Sequence, residues 1–188
     1  MNTLLLTVPP YILVVITVLI NAFHADRTGE RFFHISIPLC FGVVGFVIAA
    51  STTSFAPRYF AMMLMPAGTY TAYIVGFAWM SNTIPRPPAK RAAALGIINA
   101  VSNMTSIYAS FMYQDSAAPR FVAAMAVNAA TLIIAILCAL ILKLCLIKMN
   151  KHLEIQSDAD GVSYGRIESV AGGGTTETQR RHGFRYLV

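Results

Sequence analysis

Asp26-Arg27-Thr28-Gly29-Glu30-Arg31 is the stretch whose reading decides the fold. Before it, residues 1–25 carry no ionisable acid or base except His24, and after it residues 32–57 carry none except His34. A short segment of alternating charge, with a Gly to turn the chain, therefore joins two uninterrupted apolar runs. Each run is long enough to cross a bilayer, which needs about 20 predominantly apolar residues in a helix.

Working outward from that segment, five such runs are expected as spans, at residues 4–24, 33–51, 59–84, 92–113 and 121–147. They are continuous and lack period-two alternation, so helices are favoured over barrel strands. Short segments rich in Pro, Gly or charge separate them. Composition agrees: 56% of the 188 residues are hydrophobic and 12% charged, with mean hydropathy +0.62. Soluble domains carry about 25% charged residues, and a soluble fold of this composition would expose extended apolar patches. The expected fold class is an all-α polytopic membrane bundle over residues 1–153, whose principal partner is the lipid bilayer. Residues 154–188 are polar and include Gly172-Gly173-Gly174-Thr175-Thr176. They offer no apolar face to offset the entropy of ordering, so a disordered tail is expected there.

Orientation follows from the basic residues. Arg27, Arg31, Arg86, Lys90, Arg91, Lys148 and Lys151 fall on one side of the spans, and Arg58 and Arg120 on the other. The positive-inside rule puts the first and third loops and the C-terminus in the cytosol, with the N-terminus outside. Met1-Asn2-Thr3 lacks the charged n-region of a secretory signal, although a short signal-anchor is a competing reading of the first span.

Chemistry-bearing residues are few. Cys40, Cys138 and Cys145 lie within spans at no metal-ligand spacing, so neither disulfides nor a metal site is expected. The four His are scattered and no triad or carboxylate pair falls within a span, so the chain reads as no enzyme, with no cofactor and no nucleic-acid partner. Polarity inside the spans is uneven. The second and fifth are nearly featureless, which places them at the lipid-facing edge of a bundle. The third carries Thr69, Tyr70, Thr71, Tyr73, Trp79 and Asn82, with Pro66 and Gly68 able to loosen its backbone. In the fourth, Asn99, Asn103, Ser106 and Ser110 share one helical face. Two readings of that stripe stand side by side. One is hydrogen-bonding glue between packed helices, with Gly96 allowing close approach; the other is a wall of a substrate path. Tyr70 and Tyr73 are equally open between packing and a wet cavity wall.

The run Val8-Pro9-Pro10-Tyr11, the loop 26–31, Trp79 with Asn82, Lys90-Arg91, Gly96 with Asn99 and Asn103, and Ala118-Pro119-Arg120-Phe121 together resemble the major facilitator superfamily. More narrowly they resemble the fungal allantoate permease (anion:cation symporter) group, as does the ending Phe184-Arg185-Tyr186-Leu187-Val188. The resemblance implies that the spans correspond to helices eight to twelve of a twelve-helix symporter, working by alternating access at the plasma membrane. It makes Asp26, Arg27, Gly29 and Arg31 a gating loop, with a solvated topology marker as the competing reading. Tyr11, Tyr70, Tyr73, Asn99 and Asn103 become substrate-cavity candidates for a small organic anion or vitamin-like solute. With no counterpart of helices one to seven, the resemblance implies a truncated carrier or fragment. Any coupling carboxylate, or cation that receives an anion, would lie outside it, and Lys143 would snorkel at the end of the last span. The alternative is a non-transporting membrane protein that associates with or regulates intact carriers.

Overall fold

A computed structural model of the chain describes residues 5–84, 87–113 and 121–160. The expected tail beyond residue 160, its apolar ending, Arg86 and residues 118–120 lie outside the described residues. Those described form six helices and no strand: α1 (Val8–Thr28), α2 (Phe32–Ser51), α3 (Phe55–Thr83), α4 (Pro88–Asn103), α5 (Thr105–Met112) and α6 (Val122–Asp160). Four of them, α1, α2, α3 and α6, are long and apolar enough to cross a membrane. The polytopic helical bundle expected from the apolar runs is the fold observed.

Local sequence accounts for the ends. Pro9 and Pro10 open α1, where their missing N–H groups cost nothing because first-turn donors have no helical acceptor. Gly29 closes it in the left-handed region at φ 68°, its N–H donating back to the Ala25 carbonyl at 3.1 Å. The helix thus continues through Asp26, Arg27 and Thr28, four residues beyond the expected end at His24. The charged segment is mostly a last helical turn, and only residues 29–31 connect α1 to α2.

Packing follows a simple order. α3 packs along α1 on one side and α2 on the other, and α6 lies against the far side of α2. The Tyr59 hydroxyl donates to the Leu6 carbonyl at 3.1 Å, so α1 and α3 start at the same end and run in parallel. α2 runs against both α3 and α6: Gly42 meets Thr69 and Leu132, Gly45 meets Met65, and Phe32 and Phe33 meet Lys143. The core collects at the Gly29 end, from Ala25, Ile35, Leu39, Ala72, Val75, Trp79 and Leu146.

Three expectations need correction. The second span is not at the edge: α2 is sandwiched between α3 and α6, with Ser36, Gly42, Gly45 and Ala49 buried. All-round apolarity says nothing about which faces are covered, whereas small residues let backbones approach on two sides. Gly68 does not loosen α3; a Cβ there would lie 2.4 Å from the Pro38 carbonyl oxygen, so Gly68 is where α2 and α3 touch backbone to backbone. Among the described residues, nothing lies within 4 Å of a Cβ position at Gly96, so it mediates no close approach there.

Two boundaries also differ. The fourth run is divided into α4 and α5 at Met104. Ser102 Oγ and Asn103 Nδ2 bond back to the Ile98 and Asn99 carbonyls at 2.9 and 2.8 Å, competing with the backbone ladder. Met104 keeps helical angles (φ −60°, ψ −21°), so the interruption is slight. α6 runs on to Asp160, past the boundary expected at 153; residues 151–160 contain neither Gly nor Pro to stop it, and Gly161 follows.

Candidate functional site

The charged turn is a compact polar structure standing on the apolar core. Arg31 Nη2 donates to Asp26 Oδ1 at 2.7 Å across the Gly29 turn. The pair is asymmetric: the Arg31 side chain is 9% exposed and that of Asp26 67%. Burial makes a guanidinium depend on its partner, while a largely exposed carboxylate is screened by water. Among the described residues, no hydrogen-bond partner meets Arg31 Nε. Arg27, one residue from Asp26, is exposed.

Sequence reasoning placed Lys143 as a snorkelling residue; the structure gives it a defined seat. Its Nζ lies 4.6 Å from the Phe33 ring centroid, 5.2 Å from that of Phe32, and 3.9 Å from Glu30 Oε2. The ring faces attract the ammonium through their quadrupoles. Glu30 thereby ties the turn to α6, just as Asp26–Arg31 ties α1 to α2. No spacing could have revealed this, because Glu30 and Lys143 are distant in sequence and meet only through α2–α6 packing.

The five cavity candidates fall on three helices, Tyr11 on α1, Tyr70 and Tyr73 on α3, and Asn99 and Asn103 on α4. Tyr11, Tyr70 and Tyr73 are 61%, 50% and 46% exposed. Tyr73 stacks obliquely on Phe77 of its own helix, with centroids 6.0 Å apart. Asn99 and Asn103 bond to each other along α4, Nδ2 of Asn103 reaching Asn99 Oδ1 at 3.1 Å. α4 has no buried residue among the described ones and touches the end of α3, where Arg91 Nη2 donates to Ser81 Oγ. Ser106 is exposed as well, and the side chain of Ser110 lies outside the described residues.

A concavity lies elsewhere. α1 and α2 barely touch along their length, and the groove between them, floored by α3, encloses about 740 Å³. Its walls are chiefly apolar, among them Ile20, Ile37 and Phe41, with Thr17, Asn21, His24, His34 and Thr71 as polar points. Thr71 Oγ1 and Thr17 Oγ1 are 3.3 Å apart, linking α3 to α1 across the floor.

Asn21 has a particular role at this groove. Pro38, inside α2, has no N–H to give to the His34 carbonyl one turn earlier. Asn21 Nδ2 on α1 donates to that same carbonyl at 2.9 Å. A Pro four residues after His34, with an amide on the preceding helix, is the signal that could have located this bond.

Comparison with known proteins agrees with the bundle. The chain is 30% identical over 131 residues to the MFS-type transporter efuF of Hormonema carpetanum, covering 68% of this chain and 26% of the relative. An uncharacterized transporter of Schizosaccharomyces pombe is 30% identical over 122 residues, covering 65% and 24%. The MFS-type transporter cnsO of Penicillium expansum is 31% identical over 122 residues, covering 62% and 23%. The chain spans about a quarter of the length of the curated relatives it matches. No family model and no solved structure matches it. The apolar helices and these transporter relatives support an integral membrane protein that is similar, over the matched stretch, to MFS-type transporters.

Proposed function

We propose that the chain forms part of a secondary active transporter that moves a small organic anion or vitamin-like solute by alternating access. In this reading α1, α2, α3, the α4–α5 pair and α6 correspond to helices eight to twelve of a major-facilitator carrier of the allantoate permease type. The turn and the C-terminus are cytosolic, and the membrane is the plasma membrane. The observation that carries the reading is the Asp26–Arg31 pair folded across Gly29 at the end of an apolar helix, in a chain similar to MFS-type transporters.

The turn then acts as a gate latch. Transporter halves rock about a midplane site, and the ends of their helices exchange partners between states. Arg31 is suited to such an exchange: it is buried, it holds Asp26 through one nitrogen, and its Nε can donate to a further acceptor. Glu30 and Lys143 pass any displacement of the turn to α6. Tyr70 and Tyr73 on α3, Tyr11 on α1, and Asn99 and Asn103 on α4 present polar groups that facing helices of a complete carrier can enclose as its substrate cavity.

The test is uptake of radiolabelled small organic acids by cells expressing residues 1–188, alone and in place of the corresponding helices of an intact relative. The chimera should accumulate label. Asp26→Asn or Arg31→Gln should lower accumulation by about tenfold, the scale of a state-to-state coupling of about 1–3 kcal/mol. A chimera that reaches the membrane yet accumulates none of the acids would overturn the reading.

A further inference from the structure

We propose that His24 and His34 form a proton-binding site on the wall of the α1–α2 groove, one that keeps its inter-helix bond with one added proton and loses it with two. The inference concerns the chemistry of the pair and stands whether or not the chain transports a solute.

The argument starts from donors and acceptors. His34 Nδ1 lies 2.7 Å from the Glu30 carbonyl oxygen, and a carbonyl can only accept, so Nδ1 carries hydrogen. His34 Nε2 lies 2.6 Å from His24 Nδ1. When both rings are neutral, His34 Nε2 is bare and accepts, so His24 must donate from Nδ1, leaving His24 Nε2 as the bare nitrogen. A first proton bound at that nitrogen leaves the His24 Nδ1–H to His34 Nε2 bond in place and strengthens it, because the donor is then charged. With the added proton on His24 Nε2, the shared hydrogen can also cross from His24 Nδ1 to His34 Nε2, which then donates to the bare His24 Nδ1; the bond survives there too. A second proton places N–H against N–H at the shared position, and the rings must part.

The surroundings hold the rings in this arrangement. The His34 carbonyl is fixed by Asn21 at 2.9 Å and the His24 carbonyl accepts from Thr28 Oγ1 at 3.0 Å, so both backbones are tethered. The ring centroids are 4.9 Å apart and tilted by 39°, compatible with an in-plane N–H to N bond rather than stacking. Other ionisable groups lie on every element packed around the pair. α1 brings Tyr11, Asp26 and Arg27, α2 brings Cys40, the turn brings Glu30 and Arg31, and α6 brings Cys138, Lys143, Cys145 and Lys148, followed by Lys151, His152, Glu154, Asp158 and Asp160. α3 brings Arg58 and Tyr59 at its far end, with Tyr70 and Tyr73 along its length. Asp26 is bound to Arg31, and Glu30 approaches Lys143. Among the described residues neither imidazole has a carboxylate partner, so an arriving proton is shared between two rings.

The experiment is nitrogen NMR on the unaltered 188-residue chain, labelled with 15N-histidine, in lipid nanodiscs. His24→Gln and His34→Gln serve only to assign the signals against His152 and His182. At alkaline pH both rings should be protonated at Nδ1. A through-bond 15N–15N coupling should join His24 Nδ1 to His34 Nε2. On acidification the coupling should persist while one ring becomes imidazolium, then vanish when all four nitrogens are protonated. His34 protonated at Nε2 and bare at Nδ1, no coupling at any pH, or two imidazolium rings with the coupling intact would each overturn the proposal. Because the native chain is measured, folding of a variant is not at issue.

Discussion

Gly29 occupies φ 68° with nothing within 4 Å of a Cβ position, so its side chain is limited by backbone conformation and not by space. Gly29→Ala should therefore destabilise by about 1 kcal/mol, the left-handed penalty of an L-residue, without disturbing packing. Thermal unfolding in detergent checks this, and no change would show that the turn relaxes freely. Asp26→Asn should cost about 1–2 kcal/mol by weakening the charge-assisted bond to buried Arg31, reduced because Asp26 is largely exposed. The two charges and their spacing are visible in the chain, as is the Gly that turns it. Which carboxylate Arg31 chooses is not, since Asp26 and Glu30 are both near it in sequence. The α1 end decides that choice by carrying Asp26 round to face Arg31 while Glu30 points to α6.

At the scale of the element, α2 shows how a helix tolerates an internal Pro. The His34 carbonyl, left without Pro38 N–H, is served by Asn21 from the neighbouring helix. Asn21→Leu should destabilise by about 1–2 kcal/mol, as for interhelical hydrogen bonds in membranes. In a Pro38→Ala background the backbone bond is restored and Asn21→Leu should become nearly neutral. A double-mutant cycle by unfolding in detergent reads this difference, and equal costs in both backgrounds would refute it. The helical runs themselves were legible, because long unbroken apolarity admits few structures in lipid. Their ends were less so: α1 runs past His24 because nothing before Gly29 terminates it, and hydropathy marks membrane depth, not the last helical turn.

At the scale of the whole molecule, the α2–α3 crossing holds the closest approach among the described glycines. A Cβ at Gly68 would meet the Pro38 carbonyl oxygen at 2.4 Å and the Gly42 nitrogen at 2.7 Å, both backbone atoms that cannot swing aside. Gly68→Ala should force the helices apart and cost about 1–3 kcal/mol or more. Gly96→Ala, facing open space, should be neutral or slightly stabilising. Comparing the unfolding of the two variants checks the assignment, and equal effects would sink it. Lys143→Met should cost less, about 0.5–1 kcal/mol, since it removes a cation seated on partly exposed rings.

Apolar run length, the scarcity of charge and the Asp26–Arg31 segment by themselves determined a helical membrane bundle with a charged turn after its first span. These are properties of short segments, and the bilayer's demand that backbone groups be satisfied within each helix makes them sufficient. Only the tertiary structure decided that α2 lies inside the bundle, that Gly68 and not Gly96 is a point of contact, and that Lys143 is seated on Phe32 and Phe33. It also placed the groove at Asn21, His24 and His34, with Tyr11, Tyr70, Tyr73, Asn99 and Asn103 outside its lining. Each of those depends on which face of one helix meets another. A helix apolar on every side carries no periodic signal of that choice; close packing of small residues makes it.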